Sequence, residues 1–217
     1  MSDIFDEVDE AVRREQLTKL WERYGNLVIA VAVLVVAGVA AWRGYDYWQT
    51  KKAAEYGGQF TAAAVLSEQG KHAEAEQAFA RIAADGTAGY RVLARLRAAE
   101  ELAQRDPKAA VAAYDDIAAS AATGQPLQDF ATLRGGMLLA DTAPLADLTR
   151  RLEPIAGPGA PFRHSAREVL AFAAWKAGDT AAMRKWTQLI RDDPETPSAV
   201  RERIDVLTAV AGESAKG

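Results

Sequence analysis

The sequence predicts an all-α chain, with a single N-terminal transmembrane helix followed by an α-solenoid of helical hairpins. Three observations carry this. Residues 24–42 contain no charged side chain. Beyond residue 50 the chain is rich in alanine, and its apolar residues recur at intervals of three and four, the period of a helix and not of a strand. A short pattern in that region also returns about 35 residues later, the mark of a repeat architecture.

Composition bounds the function. The 217 residues suffice for one ordinary domain and an appendage. Charged residues are 26% and hydrophobic ones 49%, which fits neither a disordered chain nor a multi-span membrane protein. The formal net charge is −4, and from residue 53 onward 19 Lys/Arg stand against 22 Asp/Glu. That balance leaves no footprint for nucleic acid. The absence of cysteine excludes disulfides, thiolate metal sites and a cysteine nucleophile.

The first 23 residues read as a cytoplasmic amphipathic tail. Ile4, Phe5, Val8 and Val12 share a stripe, and Asp9–Arg13, Glu10–Arg14 and Glu15–Lys19 are acid-before-base pairs one turn apart. Such a tail either binds a partner or is a solvated helix that sets the depth of the anchor.

Residues 24–45 read as the membrane span. As a helix, the 19 uncharged residues cover roughly 28 Å, close to the hydrocarbon thickness. Trp21 and Tyr24 flank one end, and Trp42, Tyr45, Tyr47 and Trp48 flank the other, where amphipathic rings suit the two interfaces. A cleaved signal peptide needs a short basic leader. This leader carries Asp3, Asp6, Glu7, Asp9, Glu10, Glu15 and Glu22, so the anchor is expected to be retained. Arg13, Arg14, Lys19 and Arg23 precede the span, and Arg43, Lys51 and Lys52 follow it. The slight excess places the tail in the cytoplasm and the domain across the membrane.

A juxtamembrane linker or helix over 46–58 leads into a repeat domain over 59–210, with a flexible tail over 211–217. In "QGKHAEAEQAFARIA" (69–83) a turn at Gly70 precedes Ala75, Phe79 and Ile82 on one helical face. "QRDPKAAVAAYDDIA" (104–118) puts Ala110, Tyr114 and Ile117 in the same relative places. "KAGDTAAMRKWTQLI" (176–190) repeats the shape with Gly178-Asp179, Met183, Trp186 or Thr187, and Ile190. Asp106-Pro107 and Thr196-Pro197 each read as an N-cap followed by proline. "FATLRGGMLLADTAPLADLTRRLEPIA" (130–156) is degenerate, and "GPGAP" (157–161) is a loop. These units resemble the tetratricopeptide repeat, in which a small residue lets paired helices approach and an aromatic fills the gap to the next repeat. The predicted solenoid is therefore tetratricopeptide-like.

No chemistry is expected in it. His72 and His164 have no helical partner, and His72 takes the turn position where a half-buried packing residue is expected. Asp115-Asp116 and Asp192-Asp193 are neighbours that do not face each other. No nucleotide, zinc-protease or nucleophile-elbow motif occurs. The expectation is no enzyme, no cofactor, no metal, no nucleic acid and no small-molecule substrate.

The opening "DIFDEVDEAVRREQLTKLWERYG", an anchor ending in "WRGYDYW", and the stretch "AREVLAFAAWKAGDTAAMRKWTQLIRDDPETPSAVRERIDVL" (166–207) together resemble the YfgM-like family. Members are single-span inner-membrane proteins of Gram-negative bacteria, ancillary to the Sec translocon. The resemblance implies a cytoplasmic N-terminus, a periplasmic domain, contact with Sec translocon channel subunits, and a chaperone-like role for unfolded or translocating polypeptides. It supplies no catalytic or binding residue. A scaffold for another envelope machine, such as outer-membrane protein assembly or cell division, is the open alternative.

In a repeat of this type the first helix of each hairpin lines the groove for a client. The 34-residue register points Phe60, Thr61, Ala64, Ser67 and Glu68 inward, and later Glu168, Val169, Phe172, Trp175 and Lys176. Phe172 and Trp175 are the notable pair, because exposed aromatics concentrate binding energy. The alternative is that both rings are core against a C-terminal helix from Pro197 to Val210.

Overall fold

The computed structural model describes residues 3–214, with side chains described at 14, 18, 19 and 21–212. The apolar stripe Ile4, Phe5, Val8 and Val12, and the acids of the three predicted pairs, lie outside the described side chains. The chain divides into two compact units, Met1–Ala54 and Glu55–Gly217.

The described residues of the first unit lie within helix α1 (Asp3–Glu68). One helix among the described residues is long and apolar enough to cross a membrane, and it is this one. Leu27, Val31, Leu34, Val36 and Val39 are all exposed, as a helix surrounded by lipid requires. At the ends of the run, cations stand over the flanking rings. The Arg23 guanidinium lies 5.6 Å from the Tyr24 ring centre, that of Arg43 lies 5.9 Å from Trp42, and Lys52 Nζ lies 4.1 Å from Trp48. Aromatic and cationic side chains together are the chemistry of a headgroup layer.

The second unit begins in the last turns of α1 and continues through α2 (His72–Asp85), α3 (Ala88–Ala103), α4 (Pro107–Ala119), α5 (Gln125–Leu139), α6 (Leu145–Leu152), α7 (Arg163–Lys176), α8 (Thr180–Arg191) and α9 (Ser198–Ser214). No strand occurs among the described residues. The helices pair as consecutive hairpins, with first helices α3, α5, α7 and α9, and second helices α2, α4, α6 and α8. The turn glycines do what the repeat requires. Gly70 and Gly178 sit at φ 74° and 72°, a conformation that costs a side chain dearly. There the Lys71 and Asp179 N–H groups reach back to the Leu66 and Ala174 carbonyls, closing each helix end.

Asp106 caps α4 by accepting from Ala109 N–H at 3.0 Å, with Pro107 in the first turn. Asp179 does the same for α8, from Ala182 N–H at 2.9 Å. The Thr196-Pro197 reading needs correction. The Thr196 hydroxyl donates to the Ile190 carbonyl at 2.8 Å, so it closes the helix behind it, while the Pro197 carbonyl receives the first N–H groups of α9.

Phe79, Ile82, Tyr114 and Ile117 are buried, each at the position the repeat assigns to interior packing. The degenerate stretch 130–156 nonetheless folds as a full hairpin, α5 and α6. Its small residues are the buried pair Gly135-Gly136. A Cβ on Gly136 would stand 2.6 Å from Leu152 Cδ2, and Leu152 is itself fully buried. Gly136→Ala is therefore expected to destabilise by about 1–3 kcal/mol. Gly58→Ala, in open space within α1, should stabilise by about 0.5–1 kcal/mol. Urea unfolding of both variants checks the sign; equal signs would mean that the glycine pair is not a packing device.

Five ion pairs that join successive hairpins share one order, the acid before the base, while Arg191 with Asp205 joins α8 to α9 in the opposite order at 2.9 Å. Glu100 meets Arg134 at 3.2 Å, Asp115 meets Arg151 at 2.5 Å, Asp141 meets Lys176 at 2.9 Å, Glu153 meets Lys185 at 2.9 Å and Glu168 meets Arg203 at 2.5 Å. In these five the separations are 32 to 36 residues. Pairs this exposed add little stability singly; their regularity fixes the register of one hairpin on the next.

A denser network anchors the last hairpin. Arg167, 3% exposed, donates from Nε to the Ala156 carbonyl at 2.8 Å, and from Nη1 to the Leu189 carbonyl at 3.0 Å and to Asp193 at 2.9 Å. Arg163 holds Asp193 from the other side at 2.7 Å and also pairs with Glu195. The hydrogen bond from Arg163 keeps the Asp193 carboxyl well below the usual carboxylate range, opposed by burial and helped by the Glu195 N–H and Arg167. Burial and the neighbouring Arg163 lower His164 below the ordinary imidazole range.

Candidate partner-binding groove

The predicted groove residues fall into two groups. Phe60 packs edge-on against Phe79, ring centres 5.0 Å apart, and lies 5.9 Å from Tyr90. Ala64 joins the same apolar cluster. Thr61 and Glu68 are exposed, and the Thr61 hydroxyl donates to the Gly57 carbonyl. Ser67 donates to Glu101 Oε1 at 2.5 Å.

Glu101 repays a closer look, since it is 2% exposed and also meets His72 Nδ1 at 2.7 Å through Oε2. A serine, a histidine and an acid thus converge, but the carboxylate sits in the middle. A nucleophilic serine needs the imidazole against its own oxygen; here the hydroxyl proton goes to the carboxylate. The arrangement ties α1, α2 and α3 together, and sequence reasoning missed it because Glu101 sits on a helix rich in other charges.

The second group converges on one place. Glu168 holds Arg203, Lys176 bonds the Asp141 carboxylate and carbonyl, and Val169 packs on the C-terminal core. The salt link to Lys176 lowers the Asp141 carboxyl below its ordinary value. Phe172 and Trp175 remain 38% and 40% exposed. They line a cavity together with residues of α9 and yet stay open to solvent. With Val206, Leu207 and Val210 they wall a cavity of about 420 Å³, bordered by Glu202 and Arg203. On the far side of Phe172 a second cavity of similar size runs toward Met137 of α5 and Ala140 just past its end. A third, beyond Trp175, is walled by Met183, Thr208 and Ala211. The result is an apolar strip across α5, α7 and α9.

Met137, Val206 and Val210 were not picked out from sequence. The signal was there in "RIDVLTAV" (203–210), whose apolar residues exceed what one buried stripe needs. Val200, Ile204 and Leu207 go inside, and Val206 and Val210 are left 64% and 42% exposed. Among the described residues, no group of three or more His, Asp or Glu side chains is placed to hold a metal ion.

The family model of the tetratricopeptide repeat-like domain matches residues 18–169. The match opens ahead of the apolar run and extends into α7, so the apolar run and the first hairpins fall together within it. No curated protein and no solved structure matches the chain.

Proposed function

The chain belongs to the tetratricopeptide repeat-like domain family, and we propose that it is an inner-membrane-anchored, protein-binding module of the YfgM-like kind. In this reading residues 1–23 lie in the cytoplasm, 24–45 cross the membrane, and the repeat domain over 59–210 works in the periplasm. There it assists proteins emerging from the Sec translocon and has no catalytic role. Repeat domains of this family act as protein-interaction scaffolds, and the opening tail and anchor resemble those of the translocon-associated family.

The observation that carries the proposal is the strip on α5, α7 and α9. Two large aromatics on a helix that is otherwise packed stay half exposed and wall an apolar cavity. Exposed apolar surface gathered in one place, with a charged rim, is the character of a protein-binding surface. The test is a photo-crosslinking residue at position 175 in cells. Crosslinks to translocon subunits or to nascent periplasmic proteins are expected, and the absence of either would overturn the proposal.

Replacing both rings, Phe172→Ser with Trp175→Ser, is expected to abolish binding to an unfolded periplasmic protein. The melting point should fall by less than it does in Phe79→Ala, since the rings are only partly buried. Collapse of the fold would show that they serve as core.

Topology has its own test. A reporter active only in the periplasm should be active when fused after Gly217 and silent when fused ahead of Ile4. Protease added to spheroplasts should digest the region from Lys51 onward; protection would reverse the orientation and remove the translocon-exit role.

A further inference from the structure

We infer that the groove between α7 and α9 seats an amphipathic helix of a partner protein, carrying a lysine or arginine that meets Glu202. This rests on the protein-binding reading above and adds the form and charge of the occupant. Glu202, Val206 and Val210 stand one turn apart along α9, so they form one stripe. Phe172 and Trp175 face the same cavity from α7.

The occupant's form follows from what the walls lack. They are side chains of helices whose backbone groups are bonded within those helices. An extended segment laid there would bury its own N–H and C=O groups against hydrocarbon, at a cost. A helix arrives with those groups already satisfied and can present leucine-like residues at every third or fourth position.

The occupant's charge follows from the pairing along the stack. Arg203, the other charge at the cavity, is already held by Glu168 through two bonds. Glu202 is exposed and has no ion-pair partner among the described residues. In the five pairs given above, an acid on one hairpin meets a base on the next; Arg191 with Asp205, from α8 to α9, runs the other way. Glu202 lies 34 residues beyond Glu168, the place of the acid in the following rung. Among the described residues no later helix brings it a base. A docked helix with a basic flank would supply one, beside the valines and rings that hold its apolar face.

The test uses the full chain in detergent micelles and three short synthetic peptides. Two are helical, with leucines along one face and either lysines or glutamates on the flank; the third is the lysine peptide broken by internal prolines. Anisotropy of a dye on the peptide reads binding. The lysine peptide is expected to bind about five-fold tighter than the glutamate peptide, with the preference shrinking at high salt. Glu202→Lys should reverse that order with an unchanged melting curve, and the proline peptide should lose binding. Equal binding of the two helical peptides, an order that survives Glu202→Lys, or no binding at all would overturn the inference. Crosslinks from position 175 in cells, found alongside any of those results, would leave the protein-binding reading standing and remove only this refinement.

Discussion

Truncating Phe79 or Tyr114 to alanine is expected to cost about 3–5 kcal/mol each. Both rings are essentially inaccessible, at 0% and 1% exposure, and each fills the space between helices of neighbouring hairpins. Phe79 touches the Phe60 ring edge-on and lies beneath the Arg97 guanidinium, 5.5 Å from its ring centre. Tyr114 sits with Leu96, Ile117 and Ala131. Burial pushes its hydroxyl above the ordinary phenol range, partly offset by a hydrogen bond with Arg134. Its truncation therefore removes a ring and one neighbour of Arg134, which keeps its pairing with Glu100. Urea unfolding of the full chain in micelles measures the cost, and a loss under 1 kcal/mol would mean that neighbouring helices collapse onto the gap.

Arg167→Ala is expected to cost about 3 kcal/mol, because it leaves buried acceptors unmet. The Ala156 and Leu189 carbonyls would each lose a donor, and Asp193 would keep Arg163, the Glu195 N–H and, at 3.9 Å, His164. Arg167→Lys should recover little, since one ammonium cannot reach three acceptors spread around a planar fork. The acid partner adds a pH signature. The carboxyl of Asp193 is lowered in the folded chain, so its contribution is complete above the unfolded value of about 3.9. It is lost as pH falls below that, toward the folded value. Acid unfolding of Asp193→Asn should lack this part of the slope, and a curve that parallels the parent would show the network to be dispensable.

The features read most directly from the sequence are those in which one residue type answers one need. A positive φ after a helix needs glycine, and Gly70 and Gly178 stand there. A first-turn N–H needs a carboxylate, and Asp106 and Asp179 supply it. The uncharged run before Trp42 needs lipid or a core, and the structure exposes it. The third hairpin was hidden because its close approach is made by Gly135-Gly136, which a propensity reading takes for a helix breaker. Thr196 misled for a related reason. A hydroxyl beside a proline can serve the helix ahead or the helix behind, and only the packing of His164 and Ile190 around it decides. The strip was half visible. Phe172 and Trp175 stand out as aromatics, whereas the outward direction of Val206 and Val210 depends on which stripe of α9 meets α7 and α8.

The pairing between hairpins also constrains how this chain can have changed length. Arrays of equivalent repeats grow and shrink by whole units through unequal recombination, because any unit fits beside any other. Here each junction has its own chemistry. The Glu100–Arg134 contact joins α3 to α5, but the residue 34 positions beyond Arg134 is Glu168. An in-frame loss of that unit would set a second carboxylate against Glu100, and the Asp115–Arg151 and Asp141–Lys176 contacts would lose their partners in the same event. Lineages of this protein should therefore vary in loops and surface residues while keeping their hairpin number fixed.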